Sequence, residues 1–378
     1  MITIKKIPDI NIGYKTVDSF VIEQNATPLV APSAFLLQLS KSGSYKTVAT
    51  YASHLKSFFG VLEDMKGSAA DEWQFITDRE MNGYIYGVLH QKKGLLSNSI
   101  DNHIACLNAF YGFAYKHGLI TTPCEFSFSY GGEDVEGWQD AITNEMHEQY
   151  YSESEFEKVI LNHLQAKSSF VSDRNELMMK VGYFLGLRSF EVVHPKNFVL
   201  SAMNKALPKS EPVKPQFIEI FGKGKKVRNV SCPVALLENF HTYLWRYQNI
   251  LTKSSGNIFC RPNGTPIATE NYATTLFTDA RNAYLERKDI SAEDRTLWIK
   301  RTFHKSRKCF ATNYVAHCYE NELDPYIQLP QVMGHSNIST TFKYIYFEAL
   351  LNKRQSRLSE LSLEYTRMHE KRFGGKKQ

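Results

Sequence analysis

The chain has 378 residues, of which 43% are hydrophobic and 22% charged, and its formal net charge is +6. This composition excludes a mainly disordered or collagen-like chain, and the length fits two domains. Its six cysteines form no CxxC pair, which favours reduced thiols over a zinc ribbon or a disulfide scaffold. Without a long apolar run or a signal-peptide pattern, we expect a cytoplasmic protein with no membrane partner.

The first predicted elements are an N-terminal arm or small hairpin over residues 1–32, followed by a helical bundle over 33–124. Within this bundle, apolar residues recur at spacings of three and four over 46–64 and again over 98–116. That periodicity is typical of amphipathic helices. A further helix is expected near 77–90, and we interpret 33–124 as one helical domain.

Residues 125–150 contain seven acidic and no basic side chains, together with three glycines. Glycine and charge without apolar periodicity predict a linker. A new helix is expected at Ser152, because Ser152 followed by Glu155 forms a capping-box pattern.

The remaining chain, over 151–350, predicts a second domain with a β-hairpin made by FIEIF and VRNVSC. Its helices are expected near 173–185, 233–251, 270–287, 304–320 and 339–358. The predicted fold is therefore mainly α with a small β-hairpin, an α+β class in two domains. Residues 151–378 carry a net charge of +12, which is typical either of a protein with a polyanionic partner, nucleic acid first among them, or of a solvated basic surface.

Three short stretches contain candidate functional residues. In GLRSFE, a glycine ends an apolar helix and Arg188 follows it, where its planar guanidinium can bind a phosphate or pair with Glu191. In HKSR, His304 and Arg307 lie three residues apart on one helix face, as an anion site or as part of a basic surface. In the third stretch, Tyr344 follows a Gly-His turn and is either a nucleophile or a core residue.

The combination of these motifs, in this order and spacing, resembles the tyrosine recombinases, or phage-type integrases. The family pattern comprises an Arg in a GLR-x-x-E context, a hairpin Lys, an H-x-x-R box, a Gly-His turn and a Tyr nine residues after that His. The chain matches it with Arg188 and Glu191, Lys223, His304 and Arg307, His335, and Tyr344. Two helical segments within 33–124 also resemble the core-binding domain of the family, so the resemblance covers about residues 33–350.

The resemblance implies a site-specific recombinase that cuts and rejoins double-stranded DNA through a 3′-phosphotyrosine, for integration or excision of a mobile element. Tyr344 is then the nucleophile, and Arg188 and Arg307 bind the phosphate. Lys223 is the general acid, with Lys225 and Lys226 as alternatives. The roles implied for the other site residues are hydrogen bonding or proton transfer by His304 and His335, and ordering of the Arg188 loop by Glu191. We expect no cofactor and no metal, and Tyr346 is the alternative nucleophile.

The resemblance also implies a homotetramer on paired DNA sites, with directionality or DNA-bending proteins as possible partners. Residues 348–363, which overlap the C-terminal tail at 351–378, form an amphipathic candidate for docking on a neighbouring protomer. Alternatively, the basic end of the tail, residues 369–378, rests on DNA phosphates. The acidic 125–150 segment is expected to stay away from the duplex or to contact another protomer. The alternative functions are a type IB topoisomerase-like enzyme and an inactive DNA-binding relative.

Overall fold

The computed structural model describes residues 1–95, 97–124, 126–128, 138–222, 226–254, 256–334 and 338–373. The chain divides into two compact units, Met1–Glu136 and Gly137–Gln378. It is mainly helical with two small antiparallel sheets, so the predicted fold class and the two-domain organisation are confirmed.

The first unit begins with a three-stranded antiparallel sheet in the order β1-β2-β3. The strands are β1 (Ile2–Ile12), β2 (Lys15–Gln24) and β3 (Thr27–Pro28). Of residues 1–32, expected as an arm or small hairpin, residues 2–28 thus form a long hairpin with a short third strand, and the last three begin the first helix. Ile22 of this sheet is fully buried in the core of the unit, which explains why the segment is ordered against the helices.

Among the described residues of this unit, the sheet is followed by four α-helices, a short 3₁₀ turn and a π-helical segment over Gly83–Lys92. The α-helices are α1 (Val30–Ser40), α2 (Tyr45–Lys66), α3 (Asp78–Asn82) and α4 (Ser97–Lys116). The helices expected over 46–64 and 98–116 are confirmed as α2 and α4. Ser44 caps α2 by accepting a hydrogen bond from the Thr47 N–H at 3.2 Å, and aromatic rings such as Phe59 and Phe110 fill the core.

The second unit contains thirteen α-helices and one β-hairpin among the residues that the structure describes. The helices are α5 (Trp138–Gln149), α6 (Glu153–Val159), α7 (Ser169–Phe184), α8 (Ser189–Val193), α9 (Leu200–Ala206), α10 (Val234–Arg246), α11 (Gln248–Leu251), α12 (Tyr272–Leu285), α13 (Ala292–Lys300), α14 (Phe303–Glu320), α15 (Pro325–Met333), α16 (Ile338–Leu351) and α17 (Gln355–Phe373). The hairpin pairs β4 (Gln216–Phe221) with β5 (Val227–Cys232). Helix α14 packs against α7, α12, α15 and α16, which places it at the centre of this unit.

Several sequence-based predictions for this unit are confirmed, and two are wrong. The capping box forms, with the Glu155 N–H donating to Ser152 Oγ at 3.3 Å and Glu155 accepting from the Ser152 N–H at 2.8 Å. Residues 138–149, expected within a linker, form helix α5 of the second unit. The single helix expected over 339–358 is two helices, α16 and α17, because the chain turns at Lys353 with a φ of +52°.

Candidate active site

A glycine turn between α7 and α8 places Arg188. Gly186 has a φ of +62°, and a Cβ at this position would lie 2.4 Å from Cδ1 of Phe310 on α14. Only glycine therefore fits both the backbone conformation and the close packing. Arg188 then precedes the first turn of α8, where its N–H donates to Glu191 Oε2 at 2.9 Å.

Glu191 is completely buried and holds two arginines. Nη1 of Arg188 donates to Oε1 at 3.0 Å, while Nη1 and Nη2 of Arg228 donate to Oε1 and Oε2 at 2.9 and 2.8 Å. Burial favours the protonated acid, but the hydrogen bonds and charge of Arg228, with the Arg188 N–H, lower the pKa of Glu191 below its usual value. Arg188 is therefore paired with Glu191 while its side chain remains 32% exposed.

Arg228 is a site residue that the sequence analysis missed. It is the second residue of β5, and its side chain is 9% exposed. The available signal was only its position in VRNVSC, the predicted second strand of the β-hairpin.

Arg307 joins the two turns that border the site. Its buried guanidinium donates to the backbone carbonyl of Gly186 through Nη1 and to that of Met333, the last residue of α15, through Nη2. Burial, and then the charges of Arg188 and Arg228, lower the pKa of Arg307. The side chain still carries its proton at neutral pH.

His304 lies in the first turn of α14, one helical turn before Arg307. Burial removes water from the His304 ring and is the main reason that its pKa lies below 6.5. The positive charges of Arg307 and Arg188 lower this pKa further. The imidazole is therefore neutral at pH 7 and can accept a proton or a hydrogen bond.

Tyr344 and Tyr346 lie on α16 in different surroundings. Tyr344 is 7% exposed, and burial raises its pKa to about 12, although the charge of Arg307 opposes this rise. Tyr346 instead packs against Trp138, with ring centroids 4.9 Å apart, and stacks near Phe342. Only Tyr344 of the two is thus coupled to the arginine cluster.

The general-acid candidates Lys223 and Lys225, and also His335, lie outside the described residues. Lys226 is described: its carbonyl accepts from the Gly222 N–H at 2.7 Å at the end of the hairpin. The structure thus brings together Arg188, Glu191, Arg307 and Tyr344, with His304 near the two arginines.

A cavity of about 330 Å³ opens beside this cluster. Arg188, Lys226 and Arg228 line one part of it, and Gln331, Met333 and Gly334 line another. Because the terminal nitrogens of Arg228 bind Glu191, Arg188 and Lys226 are the basic side chains of this cavity that can bind a phosphate group.

The acidic segment contributes a helix that packs on this unit. Glu145 of α5 contacts Lys308 at 2.9 Å and Lys343 at 3.2 Å, and Glu148 contacts Lys300 at 2.7 Å. The described part of the segment therefore pairs with basic side chains of its own unit, which corrects its interpretation as a linker.

The C-terminal helix α17 also packs on its own chain. Leu361 is fully buried, and the ring of Tyr365 stacks on Trp138 with centroids 4.0 Å apart. Gln139 Nε2 also donates to Ser362 Oγ at 3.0 Å. The amphipathic candidate over 348–363 thus has its partner surface within the same chain.

Comparisons with known proteins show which sequences the chain is similar to. The family model for the N-terminal SAM-like domain of phage integrases matches residues 34–118. Tyrosine recombinase XerC of Leptospira interrogans serogroup Icterohaemorrhagiae serovar copenhageni is 26% identical over 310 residues, covering 82% of this chain and 85% of that protein. Tyrosine recombinase XerD of Staphylococcus saprophyticus is 25% identical over 318 residues, covering 82% and 90%.

Solved structures share the fold. The XerH site-specific recombinase, in a post-cleavage complex with palindromic difH substrate, has a TM-score of 0.57 and 19% identity, covering 85% of this chain and 82% of that chain. A lambda integrase tetramer bound to a Holliday junction has a TM-score of 0.51 and 16% identity, covering 84% and 77%.

In its fold and over most of its sequence, the chain is therefore similar to tyrosine recombinases, and its residues 34–118 match the N-terminal SAM-like domain of phage integrases. Within the described part of the chain, no helix has the length and apolar character needed to cross a bilayer.

Proposed function

We propose that this protein is a tyrosine recombinase that cuts and rejoins DNA at specific sites through a covalent 3′-phosphotyrosine on Tyr344, and that it integrates or excises a mobile element. The observation that carries this proposal is the electrostatic interaction between the buried side chains of Tyr344 and Arg307. In the same cluster, Arg188 lines a cavity together with two further basic residues. The matched phage-integrase model supports the mobile-element role.

In the cleavage step, Tyr344 Oη forms a bond to the phosphorus atom and the bond from phosphorus to the 5′-oxygen breaks. Arg188 and Arg307 neutralise the charge on the non-bridging oxygens, which removes the need for a metal ion. The phosphodiester bond energy stays in the phosphotyrosyl link, so no ATP is consumed.

Two proton transfers accompany this step. With a pKa near 12, Tyr344 is protonated at neutral pH and must release its proton as it attacks. Neutral His304, or His335, accepts that proton, and Lys223 donates one to the departing 5′-oxygen; Lys225 and Lys226 are the alternatives for the donor.

The proposed partner is double-stranded DNA, and the proposed assembly is a homotetramer. Exchange between two duplexes needs four cleavages, hence four copies of Tyr344, and directionality or DNA-bending proteins are further candidate partners. We assign core DNA binding to 33–124 and catalysis to 151–350, with 351–378 as the tail. The XerH and lambda integrase structures are DNA complexes, which supports this proposal.

A type IB topoisomerase-like activity is the second candidate, since it shares the chemistry, and an inactive DNA-binding relative is the third. The match to a phage-integrase N-terminal domain favours the recombinase. Relaxation of a plasmid that lacks paired sites would instead support the topoisomerase.

The test begins with sheared genomic DNA from the source organism, from which protein-linked fragments are sequenced to map the site. A nicked duplex with that site then traps the covalent adduct. We expect wild-type protein and Tyr346→Phe to form the adduct and Tyr344→Phe to bind DNA without forming it. An adduct mapped to Tyr346, or retained by Tyr344→Phe, would contradict the assignment.

A further inference from the structure

Among the candidate site residues that the structure describes, Arg228 forms hydrogen bonds only with Glu191. On β5 it pairs with Ile220 of β4, next to the hairpin end, and its side chain is nearly buried. Its two terminal nitrogens bind the two carboxylate oxygens of Glu191 at 2.9 and 2.8 Å. This bidentate arrangement fixes the plane of the carboxylate.

Because Arg228 uses both oxygens, Arg188 shares only Oε1 through a single side-chain hydrogen bond of 3.0 Å. Within the described residues, Nε and Nη2 of Arg188 donate no hydrogen bond, and the side chain is 32% exposed at the cavity. A carboxylate with both oxygens available would favour a second, bidentate pair with Arg188 and turn these donors away from the cavity.

We propose that Arg228 is a positioning residue for the cleavage step: it holds Glu191 so that Arg188 presents Nε and Nη2 to the scissile phosphate. This inference rests on the proposed function and adds to it a residue that acts through Glu191 and not on the substrate.

Gly222 provides an independent geometric sign that this ion pair is closely packed. A Cβ at Gly222 would lie 3.0 Å from Arg228 Nη1 and 3.0 Å from Glu191 Oε1. The end of strand β4 therefore approaches the ion pair as closely as a glycine allows, which restricts alternative orientations of both side chains.

The competing explanation is purely structural, because a buried carboxylate left with too little positive charge is strongly destabilising. A double variant separates the two explanations. In Arg228→Met with Glu191→Gln, no buried charge needs compensation, yet Arg188 has lost the support that orients it. The structural explanation predicts a restored cleavage rate, and the positioning role predicts a continued loss.

The experiment measures single-turnover formation of the covalent adduct on the mapped site, at saturating protein. Arg228→Met and the double variant are compared with wild type and with Arg246→Met, which removes an exposed ion pair to Asp173 in the same unit. We expect a loss of about 100-fold for Arg228→Met and for the double variant, because small misplacements of catalytic groups cost rates of this order. Arg246→Met should cleave like wild type, and thermal unfolding of each variant reports its folding.

Two modified substrates identify the step that Arg228 supports. A methylphosphonate at the scissile position is uncharged, so it needs less neutralisation by arginine, and the defect of Arg228→Met should shrink below tenfold. A 5′-bridging phosphorothiolate has a leaving group that needs no general acid. On this substrate the defect should persist, because the substitution affects Arg188 and not leaving-group protonation.

Three results would overturn the inference: cleavage by Arg228→Met at the wild-type rate, rescue of this variant by the phosphorothiolate, or restored cleavage in the double variant. Failure of wild-type protein to form any adduct would overturn the proposed function and the inference with it. A wild-type adduct together with one of the three results overturns the inference alone.

Discussion

Substitution of Gly186 by alanine tests whether the glycine turn positions the site. At a φ of +62° an alanine costs ~1 kcal/mol in conformational energy. Its Cβ would also lie 2.4 Å from Cδ1 of Phe310, which is itself buried against the core, and such overpacking costs ~1–3 kcal/mol. We therefore expect Gly186→Ala to lower the unfolding free energy of the second unit by about 2–4 kcal/mol.

The matched control is Gly118→Ala. Gly118 has a φ of +68°, and a Cβ there meets no described heavy atom within 4 Å, so only the conformational cost of ~1 kcal/mol applies. Denaturant-dependent hydrogen exchange, read by mass spectrometry, gives the opening free energy of each unit separately. Equal losses for the two variants would refute the packing argument.

The same substitution should also slow cleavage, because the Gly186 carbonyl accepts a hydrogen bond from Arg307 and Arg188 lies two residues further on. Combining Gly186→Ala with Phe310→Leu gives the new methyl group room, and we expect this double variant to recover part of the lost rate. Recovery of stability without any recovery of rate would show that the turn does not position the arginines.

Four further predictions concern the chemistry and the tail. The pKa of His304 lies below 6.5, so the cleavage rate should stay level from pH 8 to 7 and fall only below pH 6.5. A fall in rate with a midpoint above pH 7 would contradict this. Cleavage should proceed in excess EDTA, and loss of chemistry on an assembled complex would reveal a metal requirement. Glu145→Gln removes a charge that raises the pKa of Tyr344 and should speed cleavage about two- to fivefold, whereas the control Glu148→Gln should not. Leu361→Ala should destabilise the free protein by about 2–4 kcal/mol, and an unchanged melting temperature with failed pairing of two DNA sites would instead indicate docking on a neighbouring protomer.

Elements with local signals could be predicted from the sequence. The capping box at Ser152 and Glu155 depends on residues three apart, and the hairpin of β4 and β5 follows from two β-rich runs around a glycine turn. The helices over 46–64 and 98–116 have a clear apolar periodicity. In each case the interactions that stabilise the element lie within one stretch of sequence.

Helix α5 shows where that reasoning fails. Its acidic residues and the preceding glycines predict a linker, but Glu145 pairs with Lys308 and Lys343, more than 160 residues away. Partners this distant in sequence carry no local signal, so composition alone could not reveal that the charges are compensated.

The charge balance of the site explains both what the motifs revealed and what they missed. Among the described residues, three guanidinium groups, of Arg188, Arg228 and Arg307, are grouped around one buried carboxylate, that of Glu191. Mutual repulsion in a poorly hydrated environment is one reason that the pKa of Arg307 is lowered. In the proposed function, a bound phosphodiester would supply the missing negative charge. Motifs identify the two arginines expected to bind that charge, whereas Arg228, which stabilises their shared carboxylate from a different strand, becomes visible only when the chain is folded.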